Sequence, residues 1–162
     1  MSKTGPYVDW WHADPTNALV SEPLGRLLAL WESKRRGGAL PSRADFTVEE
    51  FLGFGGRVAL IVVERKPLRF RYRLVGTRIV EALGRDSTGR YFDELYAPDY
   101  YRHIEAHFSS IIVDRAPLRT TGNMAHIYKP YVAVEGINIP LASDGVTVDM
   151  FIRALDFDYR GE

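Results

Sequence analysis

The side chains able to do chemistry are few, and their spacing is the first thing to weigh. Histidines stand at positions 12, 103, 107 and 126. His103 and His107 are four residues apart, so on a helix they share a face. Two imidazoles at that spacing suit zinc, copper or nickel. The segment reads HIEAH, however, not the H-E-x-x-H of a zinc protease, and the nearest acids, Asp99 and Glu105, do not complete a convincing ligand set. No metal site is assigned. Cysteine is absent, which removes disulfides, thiolate metal sites, cysteine nucleophiles and cysteine-linked chromophores together. Ser87, Ser109, Ser110 and Ser143 fall in turns or on polar helix faces without a nucleophile-elbow context. Asp93, Glu94 and Asp99 read as solvated acids. No enzyme signature emerges.

Arg69, Arg71 and Arg73 alternate with Phe70, Tyr72 and Leu74. Basic and aromatic residues interleaved in this way can bind nucleic acid. Here the arginines share one strand face, and the simpler reading is a solvated sheet surface. Lysine plus arginine is 21 and aspartate plus glutamate is 21, a net charge of zero, which lacks the basic footprint of a general nucleic-acid binder. Gly53, Gly55 and Gly56 precede a strand rather than follow one, so they are not a nucleotide-binding loop. There is no apolar run of roughly eighteen residues for a membrane span and no signal-peptide pattern. A cytoplasmic protein is expected.

These residues must be held by elements that the pattern predicts in order. Residues 1–20, with Pro6, Pro15, Tyr7, Trp10 and Trp11, read as an extended arm whose tryptophans pack on the body or on a partner. A single domain is expected over 21–160. Its first helix begins at the N-cap Ser21, carries the stripe Leu24, Leu27, Leu28 and Trp31, and stops at Gly37-Gly38. After a 41–45 loop, Thr47 and Glu50 form a capping box for a short helix. Residues 57–64 read as a buried strand. In the strand 69–75, Phe70, Tyr72 and Leu74 face inward. Short helices follow at 78–83 and 91–96, then a long one from Pro98 with the stripe Tyr101, Ile104, Phe108, Ile111 and Ile112. Strands are expected at 118–126, 131–141 and 146–157, the last two joined by a turn at Ser143-Asp144-Gly145.

The order hairpin, helical crossover, three-stranded meander resembles the PAS fold. Residues within FRYRLVGTRIVEALGRDSTGRYFDEL (70–95) sharpen it: Gly76-Thr77, Ile79-Val80, Gly84-x-Asp86-x-Thr88-Gly89 and Leu95. Together with Trp31, Gly37-Gly38, 40–45, Pro140-Leu141, Asp144-Gly145 and Val148-Asp149-Met150, they resemble the fifth catalogued PAS subfamily of short bacterial proteins. The resemblance spans roughly 24–157. It implies an α+β fold, a five-stranded antiparallel sheet with a helical crossover, here with an added N-terminal helix. It also implies a sensory or regulatory role. The Gly84–Gly89 motif reads as structural, keeping the crossover compact.

Such a domain can hold a small apolar ligand between sheet and crossover helices. The lining candidates are Phe70, Tyr72, Leu74, Tyr101, Ile104, Phe108, Ile111 and Asn138. Leu24, Leu27, Leu28 and Trp31 are interface candidates, either for a homodimer or for the chain's own sheet. A signalling protein is the expected partner; nucleic acid and membrane are not. The alternative function is a ligand-free adaptor or homodimerisation module. A remote one is a haem sensor, since the axial histidine of haem-binding PAS domains sits on the crossover helix, where His107 lies. No cofactor is required.

Overall fold

The structure, a computed structural model, describes residues 11–124 and 129–157; Trp10 and His126 lie outside them. Six strands form one antiparallel sheet in the order β1-β4-β5-β6-β2-β3. They are β1 (His12–Asp14), β2 (Val58–Glu64), β3 (Arg69–Val75), β4 (Leu118–Met124), β5 (Lys129–Leu141) and β6 (Met150–Phe157). The helices are α1 (Glu22–Ser33), α2 (Val48–Leu52), α3 (Thr77–Leu83), α4 (Phe92–Leu95) and α5 (Pro98–Asp114). No helix among the described residues is long and apolar enough to cross a membrane.

The sixth strand corrects the expected five. It comes from the arm: His12, Ala13 and Asp14 pair with Thr121, Thr120 and Arg119 of β4. A three-residue strand reading HAD carries no periodicity that sequence could reveal. Tertiary contacts hold it instead. Trp11 is buried, and Asp14 pairs with Arg119, which also pairs with the buried Glu135.

The sheet is covered on both faces. On the inner face, Phe70, Tyr72 and Phe151 meet α4 and α5 in one aromatic cluster. The Phe70 and Phe108 rings stand edge to face at 4.9 Å, the Tyr72 and Phe92 rings are tilted at 4.4 Å, and Phe108 lies 5.1 Å from Phe151. On the outer face α1 lies against β5 and β6. Its N-cap Ser21 accepts from the Leu24 amide, its buried stripe is Leu24, Leu27 and Trp31, and the Trp31 indole donates to the Pro140 carbonyl at 2.9 Å.

The turn chemistry explains several boundaries. Gly84 ends α3 in the left-handed conformation, φ 80°, where a side chain would be strained. Asp86 accepts from the Thr88 amide and hydroxyl. These bonds, the hydroxyl's first, hold its carboxyl below the usual range. The Gly89 amide then donates to Tyr72 and the Tyr72 amide to Arg90, so the crossover returns along the β3 edge. Between β5 and β6, Asp144 accepts from the amides of Val146 and Thr147. That closes the link as a longer loop, and β6 starts at Met150, later than the expected 146.

Candidate functional site

The inner face of the sheet carries a buried cation. Arg153, on β6, is 8 % exposed. Its Nη1 donates to Asn138 Oδ1 at 3.0 Å, a bond between cross-strand partners of β5 and β6. Its Nε–H has no hydrogen-bond partner among the described residues, and no carboxylate among them pairs with it. A buried charge is ordinarily paired or fully hydrogen-bonded, because desolvation costs several kcal/mol, about what a good ion pair returns. The guanidinium instead lies 5.7 Å from the Trp11 ring and 5.9 Å from that of Phe108.

These residues surround a cavity of about 10 Å³ lined by Trp11, Ile104, His107, Phe108, Thr120, Asn138 and Arg153. That is room for roughly one water. Its lining is unusual for this core, since Thr120, Asn138 and Arg153 are buried polar groups. Burial, then the neighbouring His103, Arg153 and His12, push His107 down to about 4, so its imidazole is neutral at pH 7.

Trp11 closes the cavity. Its indole donates to the Tyr100 hydroxyl at 2.7 Å, and its carbonyl lies 2.6 Å from His103 Nε2. Gly122 on β4 makes room for it: a Cβ there would come within 3.1 Å of the indole. Behind Trp11, the arm is tied down by Asp14–Arg119–Glu135. Glu135 also accepts from the amides of Val20 and Ser21. The path from the cavity to the arm and on to the start of α1 is therefore continuous.

Of the predicted lining residues, the structure brings Ile104, Phe108 and Asn138 to this cavity. Phe70, Tyr72 and Ile111 are buried core. Leu74 turns the other way and is 48 % exposed. The register of β2 and β3 slips between Leu60 and Ile61, and this bulge at Arg73 moves Leu74 to the outer face. In the α5 stripe Tyr101 gives way to Tyr100, with Ile104, Phe108 and Ile111; Tyr101 is half-buried at the margin. Of the interface candidates, Leu24, Leu27 and Trp31 are buried in the chain itself, and Leu28 is half-buried against the same core. His103 and His107 stack edge to face at 4.7 Å, yet no cluster of three metal-ligating side chains occurs among the described residues. The space beside His107 is far too small for a porphyrin.

Arg69 and Arg71, expected on a solvated face, are engaged. Arg69 clasps Asp93 through Nε and Nη2, both at 2.8 Å, and lies 3.6 Å from the Tyr91 ring. Arg71 binds Glu64, which accepts from Tyr91. They fasten α4 to β3. Sequence reading missed Arg153 and Trp11 as site residues. The signal was present in FIRAL: Phe151 and Leu155 flank Arg153 on its own strand face, and Ile152 and Ala154 fill the other, so the cation sits in a strand buried on both sides. On the outer face an apolar groove of about 290 Å³ runs between α2 and β2–β3, lined among others by Val48, Leu52, Leu60 and Leu74.

The PAS domain family model, of the subfamily that the Gly76–Leu95 motifs resemble, matches residues 19–155. The chain belongs to the PAS family. No curated protein and no solved structure matches it.

Proposed function

We propose that this chain is a PAS-type sensory or regulatory module whose responsive element is the N-terminal arm, closed over an inner-face ligand site. The observation that carries this reading is Trp11. A short edge strand lays one large side chain over a polar cavity that contains a buried cation. Signalling is then a population shift: a ligand that prefers the arm-open state draws the domain toward it, and the change reaches partners through the arm and the start of α1. Binding, rather than catalysis, is the activity. A small apolar ligand between sheet and α5 would have to displace the aromatic cluster, so the polar end of the interior is the better site. Amide hydrogen exchange on the full chain tests the reading. His12–Asp14 should exchange through a local opening well below the free energy that protects β5 and β6; exchange of β1 only with the whole sheet would contradict it.

A second reading, a ligand-free adaptor or self-association module, is favoured by the outer-face groove, where Val48, Leu52 and Leu74 are exposed. It predicts sedimentation as a dimer, or with a bound partner, that Leu74→Lys disrupts.

A further inference from the structure

We infer that the inner-face site binds a small monocarboxylate on the Nε/Nη2 edge of Arg153, in exchange for the Trp11 indole. The inference rests on the sensory reading above and assigns its ligand class. One comparison inside the molecule supplies the chemistry. Arg69 presents its Nε/Nη2 edge to Asp93 and makes two bonds at 2.8 Å. Arg153 commits Nη1 to Asn138 and leaves Nε without a partner among the described residues. A carboxylate is the planar, bidentate complement of that edge.

Charge and size narrow the class. Among the described lining residues Arg153 is the one cationic group, since His107 there is neutral at pH 7. One positive charge in a low-dielectric site matches a monoanion; a phosphate dianion would bring a second charge that no described lining residue offsets. Asn138 and Thr120 add amide and hydroxyl groups for the ligand's remaining lone pairs. The cavity, at about 10 Å³, does not admit even acetate while Trp11 is docked. Displacing the indole from its seat on Gly122 makes the room. Ligand and indole therefore compete for the guanidinium, and binding opens the arm.

Isothermal titration of the full chain with sodium acetate tests this, with acetamide as the neutral isostere and chloride holding ionic strength constant. Acetate should saturate and acetamide should not. Arg153→Gln should weaken acetate more than about tenfold, the loss expected for hydrogen bonds to a charged group. Arg153→Lys keeps the charge without the forked edge and should also weaken it, which decides the matter if the glutamine variant does not fold. Trp11→Ala should tighten acetate several-fold, opposite in sign to damage by truncation. Non-saturating heats, equal response to acetamide, unchanged affinity in the lysine variant, or weaker binding in Trp11→Ala would each overturn the inference. Absent acetate binding alongside local opening of β1 would remove this ligand class and leave the sensory reading standing; absent local opening would remove the reading itself.

Discussion

His107 and Arg153 line the same small space, and the guanidinium disfavours charge on the imidazole. Burial comes first, and with His103, Arg153 and His12 it holds the imidazole at about 4, below its ordinary 6.5. The folded state therefore binds fewer protons than the unfolded chain between those values, so the stability tied to neutral His107 is complete above pH 6.5 and is lost as pH falls toward 4. Urea midpoints should drop from pH 7 to pH 5 more steeply in the wild type than in His107→Gln; parallel slopes would contradict the assignment. Glu135 is a second buried charge, answered by Arg119 and two amides. Glu135→Ala should cost about 3–5 kcal/mol, as breaking a buried pair does, read as a fall in the denaturation midpoint. At this scale the sequence was legible where the period was regular and illegible where it slipped. Phe70 and Tyr72 point inward as alternation requires, but one bulged residue sends Leu74 out. On α5 the inward tyrosine is Tyr100 rather than Tyr101, a phase error of one position on a helix where adjacent tyrosines offer period counting no choice between them.

Caps and turns made most elements readable. Ser21, the Thr47–Glu50 box, Gly84 and Pro98 each mark a boundary close to the observed one, because each satisfies or ends helix hydrogen bonding locally. β1 has no such mark; its pairing is decided by β4, more than a hundred residues further along the chain, and by the burial of Trp11 beside it. The α1 stripe was readable as a buried face, but not what buries it. With Trp31 wholly buried on β5 and its indole bonded to Pro140, Trp31→Ala should lower stability by about 3–5 kcal/mol, and the loss should be independent of protein concentration. A concentration-dependent loss would place Trp31 at a subunit interface. Gly122→Ala, by crowding the indole at 3.1 Å, should loosen β1 and leave the β5–β6 core protected, as hydrogen exchange would show.

Taken whole, the molecule is a sheet with its two faces assigned different tasks. The outer face receives α1 and leaves an apolar groove over β2–β3; the inner face receives the crossover helices, with aromatic packing around Phe70, Phe92 and Phe108 and a small cavity beside Arg153. The arm spans both, with Trp11 at the inner cavity and residues 20–21 bonded to Glu135, so its docking links the cavity to α1. That linkage is the central claim. Its most direct test is amide hydrogen exchange of the full chain with and without saturating acetate at constant ionic strength. The account predicts faster exchange at His12–Asp14 and at their β4 partners on acetate binding, with β5 and β6 unchanged. Exchange at β1 that stays the same or slows in the presence of bound acetate would contradict it.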